Sequence, residues 1–208
     1  GSLPPRFTTM CSPPSTAAVG VMAAHTRAYT TPSMAAPGAG WLLYTLTFVS
    51  LIALLPGRLP ADQAALVAGL MPLVSIAVSL LVVPLLLQRF ASIHIVMGGF
   101  CLAALWFVLC TTLNAGALFP VGLFAILGLV QGASFAAVPE LNEATEDRAL
   151  TYGLLAQTGN IGNLLGTPVF IFIASTMGDT VMLWAVAAAY VIGMTLQAGI
   201  LRSAKTTA

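Results

Sequence analysis

Side-chain amides are the groups in this chain best suited to chemistry. Gln157, Asn160 and Asn163 punctuate a long apolar stretch near the C-terminus. On a helical wheel turning about 100° per residue, with Gln157 at zero, Asn160 falls near roughly −60° and Asn163 near roughly −120°. Gly159, Gly162 and Gly166 fall at about 140° to 200°, on the other side. One face is therefore amide-rich, and the other is a glycine seam suited to close approach of a neighbouring helix. A buried amide in apolar surroundings is costly unless it is paired. The amide face must look at protein or at water, and it reads equally as glue between helices or as the wall of a solute pathway.

Depth favours the pathway. With inner boundaries near residues 40, 88, 139 and 148 and about 1.5 Å of rise per residue, Thr47, Ser79, Gln131 and Gln157 all lie roughly 10–14 Å into an apolar layer about 30 Å thick. Four separate segments thus place a hydrogen-bonding group at one level. The expected substrate-pathway residues are Thr47, Ser79, Gln131, Gln157 and Asn160, and the expected helix-packing residues are Gly159, Gly162 and Gly166. The third and sixth apolar segments are poorer in such groups at that depth, which places them outside a central cavity.

Other candidates carry less. Glu140 ends the fourth segment and reads as an interfacial carboxylate, His94 sits at the start of the third, and Trp41 and Tyr44 fit an interfacial aromatic belt. Pro72, Pro84, Pro120 and Pro168 are expected to bend their helices. No charged side chain lies mid-segment, so no proton relay or ion-pair switch is evident. Ser-His-Asp sets, zincin motifs, phosphate loops and CxxC pairs are missing too, so neither an enzyme nor a cofactor or metal is expected. Of the three cysteines, Cys101 and Cys110 are nine residues apart, about 900° on a helix, and face opposite ways.

The elements that must position these groups follow from composition. Hydrophobic residues make up 59% of the 208, charged residues 6%, and mean hydropathy is +0.99. Soluble domains carry about 25% charge, so this chain reads as an integral membrane protein. A net charge of +1 offers no field for nucleic acid. Six apolar runs, at about 40–56, 63–88, 93–113, 116–139, 149–176 and 180–201, approach the length of about 20 residues that a bilayer requires. Their continuous apolarity excludes barrel strands, and backbone pairing in lipid leaves helices. The proline-rich residues 1–39 read as a tail or linker, 40–202 as the six-helix domain and 203–208 as a cytoplasmic tail. Asp62 and Asp179 precede their runs, where carboxylates can cap the opening amides. With six spans, Arg6, Arg27, Arg89, Arg148, Arg202 and Lys205 share one face and only Arg58 lies on the other, so both termini are expected in the cytoplasm.

The stretch GLVQGASFAAVPELNEATEDRALTYGLLAQTGNIGNLLGTPVF, residues 128–170, resembles the tenth and eleventh helices of major facilitator superfamily transporters, particularly bacterial drug- and anion-type members related to cyanate permeases. Residues 41–56 and 63–89 look like the seventh and eighth helices, and the likeness extends over 40–202. The family's loop signature G-x-L-x-D-R-x-G-R-R maps onto residues 84–93, where Leu86 and Arg89 match and Pro84, Gln88, Ala91, Ser92 and Ile93 do not. The resemblance implies an all-α polytopic bundle of two inverted three-helix repeats, forming half of a twelve-helix transporter. Its first, second, fourth and fifth spans would line the cavity.

The expected function is that of the C-terminal half of a secondary active transporter, moving a small solute across the inner membrane by alternating access. Its partners would be the lipid bilayer, the solute and an N-terminal six-helix half, without nucleic acid. The alternatives are a non-transporting membrane assembly or interaction protein, or an inactive truncated half-transporter.

Overall fold

In an apolar layer a backbone can hydrogen-bond only to itself, and the long uncharged runs fold accordingly. The computed structural model describes residues 20–113 and 115–207. Among them every regular element is helical, and six helices are long and apolar enough to cross a membrane, consistent with an integral membrane protein. Helix α1 (Val21–Thr30) precedes α2 (Pro32–Leu54), and a 3-10 turn at Pro56–Arg58 leads into α3 (Ala61–Ala77). A π turn, Val78–Val82, joins α3 to α4 (Val83–Leu87), so that Ala61–Leu87 forms one rod. Then come α5 (Ser92–Leu113), α6 (Leu118–Leu141), α7 (Thr145–Met177) and α8 (Asp179–Thr207). Gly178, at φ +90, lets α7 turn into α8 across a single residue, a backbone state that side chains with a Cβ resist.

The expected tail is corrected where it is described. Residues 21–30 and 32–39 are helical, belonging to α1 and the opening turns of α2; residues 1–19 lie outside the described residues. Pro32 sits at the first position of α2, where its missing N–H costs nothing and its φ is already helical. The C-terminal tail is helical too, since α8 runs to Thr207. The expected caps are also corrected. Pro60, not Asp62, occupies the N-cap of α3. Asp179 is the first residue of α8, and its carboxylate accepts from Arg58 Nε at 3.2 Å and Nη2 at 2.6 Å.

Helices α2 and α6 pack against each other at the centre. Against α2 lie α7 and α8; against α6 lie α3 and α5; α5 and α8 also touch. Leu51, Met71, Phe100, Phe107, Phe124 and Tyr190 fill the shared core. The rod Ala61–Leu87 and α7 are each buried over only 17% of their apolar windows, against 39–50% for the other four spans. These two are the edges of the bundle.

Three glycines of α7 lie against α2. A Cβ on Gly159 would come within 2.6 Å of Trp41 Nε1, one on Gly162 within 2.8 Å of the Leu42 carbonyl, and one on Gly166 within 2.6 Å of Ser50 Oγ. The contacts climb both helices together, so α2 and α7 run parallel. A second seam was not foreseen. Gly128 faces the Ser75 backbone, and Gly132 lies where a Cβ would reach Ser79 Oγ at 2.7 Å, bringing α6 onto the rod in the same parallel sense.

Candidate functional site

Gln131 is the polar centre of the bundle. It lies in α6, half-buried, and its Oε1 accepts from Tyr44 Oη of α2 at 3.1 Å and from Ser75 Oγ of α3 at 3.1 Å. Three helices therefore converge on one amide. The oxygen carries two bonds, its full complement, while Nε2 donates to nothing among the described residues.

Aromatic rings frame this amide. Tyr44 stacks on Trp41 at 4.8 Å and tilts against Phe48 at 4.9 Å. Phe135 meets Trp41 edge-on at 4.8 Å, and Phe124 meets Phe48 at 4.7 Å. Trp41 and Tyr44 thus lie on the face of α2 that packs against α6. Their spacing of three places them on one side of a helix, which is the signal the sequence offered. Ser75 was missed because any serine in a membrane helix looks alike until its neighbour is known.

The remaining expected residues do not share one site. Thr47 is fully buried and donates to the Leu43 carbonyl at 3.1 Å and the Tyr44 carbonyl at 3.0 Å of its own helix. A threonine that satisfies its hydroxyl one turn back can sit in an apolar interior, and beside it lies the buried Tyr190 hydroxyl. Ser79, half-buried, abuts Gly132. Asn160 is exposed and makes no hydrogen bond among the described residues.

Gln157 forms a second cluster. Exposed on α7, it accepts from Tyr29 Oη at 3.1 Å through Oε1, and its Nε2 lies 3.1 Å from His25 Nε2. Helix α1 is held there by Arg27, whose Nη2 is 2.6 Å from Asp147 Oδ1 and whose Nη1 is 3.7 Å from Glu146 Oε1. Ala28, Met34 and Leu154 bury together beneath it.

Both loop ends of the bundle are tied. Glu140, at the end of α6, accepts the Ser92 backbone N–H at 3.2 and 2.9 Å through its two oxygens, closing the N-terminus of α5 where a negative charge is favoured. At the opposite end Arg58, just beyond α2, holds Asp179 at the start of α8.

Comparison with family models, with curated proteins and with solved structures gives no match.

Proposed function

We propose that this chain is the C-terminal half of a secondary active transporter of the major facilitator type, in the inner membrane with both termini cytoplasmic, and that it moves a small polar solute by alternating access. The observation that carries the reading is an exchange symmetry in the packing. Replace α2, α3 and α5 by α6, α7 and α8, and the contacts map onto one another. The pair α2–α7 becomes α6–α3, α2–α8 becomes α6–α5, and α5–α8 and α2–α6 return to themselves. The ties follow the same exchange, Arg58 to the start of α8 matching Glu140 to the start of α5. Three spans per unit reverse the direction of the second unit, which is the architecture of inverted-repeat transporters.

Within this reading, Gln131, Tyr44 and Ser75 offer hydrogen bonds to the solute between the edges formed by α3 and α7. An N-terminal six-helix half would close the other wall. The test is uptake of a panel of small polar solutes into vesicles holding the chain with such a half. A Gln131→Leu variant present at normal membrane levels is expected to lose at least about tenfold in rate, equivalent to one charge-free hydrogen-bonding group used in the transition state. Unchanged uptake of every solute removes the pathway assignment.

A second reading has its own observation. Both ends of the Gln157 amide are engaged within the chain, which suits a membrane assembly protein whose amides hold helices together. A thiol at position 157 separates the two: reaction with a membrane-impermeant reagent favours an aqueous pathway, and silence favours glue.

A further inference from the structure

Two open N–H donors and one open ring are linked through the Gln131 cluster. Oε1 of Gln131 is filled by Tyr44 and Ser75, and both of those side chains are buried, so the cluster meets a solute through Nε2. Neither Gln131 Nε2 nor Trp41 Nε1 has a hydrogen-bond partner among the described residues, and neither atom is enclosed. Phe135 stands one turn beyond Gln131 on the same face of α6. It is 44% exposed and meets the half-buried Trp41 at 4.8 Å. The wall also lacks charge: no Asp, Glu, Lys or Arg occurs at 28–57, 63–88, 90–139 or 149–178, which include the stretches of α2, α3, α6 and α7 that border it. An ion resting here finds no countercharge in this chain, and an unpaired charge costs far more to bury than a neutral acceptor. A sugar or an amino acid brings several donors, and Gln131 Oε1 has no lone pair left for one.

We propose that the solute met by this wall is an uncharged, flat ring system bearing a carbonyl-type acceptor. The acceptor takes Gln131 Nε2, and the ring lies against Phe135 in the offset or edge-on arrangements that aromatic pairs prefer. Trp41 Nε1 takes a second acceptor where the solute has one. Tyr44 and Ser75 act through the amide: by filling Oε1 they fix which end of Gln131 is presented, so the site selects acceptors over donors. The class rests on the pathway reading of this wall, but equilibrium binding tests the class while uptake tests the pathway, and either can fail alone.

Equilibrium dialysis of the purified full chain in detergent, against protein-free micelles of the same detergent, tests this with coumarin, naphthalene and 2-naphthoate. Coumarin is flat and neutral with an acceptor and no donor, naphthalene lacks the acceptor, and 2-naphthoate carries a charge. Coumarin is expected to bind about fivefold or more tighter than either, the worth of one net hydrogen bond. Gln131→Leu is expected to abolish the preference over naphthalene. Phe135→Ala is expected to weaken coumarin and naphthalene together, by about fivefold. Naphthalene or 2-naphthoate held as tightly as coumarin, a preference unchanged in Gln131→Leu, or binding indifferent to Phe135→Ala overturns the class. Should Gln131→Leu fail to fold, the three probes on the unaltered chain and on Phe135→Ala decide.

Discussion

The side-chain amide of Asn142 donates to the backbone carbonyl of Ser33, 3.3 Å away and more than a hundred residues earlier in the chain. Pro37 lies four residues beyond Ser33 and has no N–H to give it. The long-range amide thus replaces the hydrogen bond that proline removes from α2. A second bond, from the same nitrogen to the Val138 carbonyl at 3.0 Å, fixes the amide at the C-terminal end of α6. Asn142→Ala is expected to destabilise the fold by about 1–3 kcal/mol, the cost of an orphaned buried carbonyl, read as a fall in melting temperature in detergent. In a Pro37→Ala background the residue at 37 can donate to Ser33 itself, so the same substitution should cost measurably less. A double-mutant cycle with no coupling would sink this account.

Close approach of α7 to α2 makes a second prediction. A methyl at Gly166 would press on the Leu46 carbonyl and on Ser50 Oγ, and the carbonyl cannot move without shifting backbone. Gly166→Ala should destabilise by about 1–3 kcal/mol, as overpacking does. Gly153, on the same helix, has nothing within 4 Å of an added Cβ, so Gly153→Ala is expected to lose nothing and to gain up to about 1 kcal/mol from helix propensity. A loss at Gly153 as large as that at Gly166 would mean that the seam does not set the difference.

The two serines of the second span separate a hydrogen-bonding role from a packing one. Ser75 donates to Gln131, whereas Ser79 makes no hydrogen bond among the described residues. Ser75→Ala should lower stability by about 1 kcal/mol and, under the proposed function, slow uptake. Tyr44→Phe should act in the same direction, because it removes the other donor to the same oxygen. Ser79→Ala should leave uptake near the parental rate. Melting curves and vesicle uptake on the three variants check this, and a larger effect at Ser79 than at Ser75 would contradict the geometry.

Helix α1 packs beside Gln157 through Tyr29 and His25, so accessibility there should depend on it. In a Gln157→Cys background, Arg27→Ala removes both contacts to Asp147 and Glu146, and thiol labelling from the α1 side is expected to quicken several-fold. Such half-exposed ion pairs are worth about 0.2–1 kcal/mol, which bounds the change at roughly fivefold. A labelling rate indifferent to Arg27 would show that α1 does not latch to α7.

What the sequence disclosed depended on how local each signal is. Span number and the glycine seam of α7 were legible because hydropathy and the absence of a Cβ belong to single residues at fixed spacing. The direction Thr47 faces was not legible, because a hydroxyl can satisfy itself on its own helix and its presence at a given depth does not say what it faces. Tyr44 and Ser75 were undervalued because their roles exist only through Gln131, which lies on a third helix. The helical start at Pro32 was hidden by reading prolines as breakers. That reading overlooks the first-position preference of Pro32 and, for Pro37, a partner as distant as Asn142.

The π turn at Val78–Val82 bears on any attempt to reason about the second span from its letters. Pro84 follows it as the second residue of α4, and a widened turn is a usual way for a helix to absorb a missing donor. Widening has a geometric result as well. Each residue it takes in rotates all that follows by about 100° relative to an unbroken α-helix. Azimuths projected from Ala61 therefore hold only as far as Ala77, and Val83–Leu87 point elsewhere than a uniform projection would have them. Replacing Pro84 would remove the cause of that twist, and the Val83–Leu87 end of the rod would then swing toward a different set of neighbours.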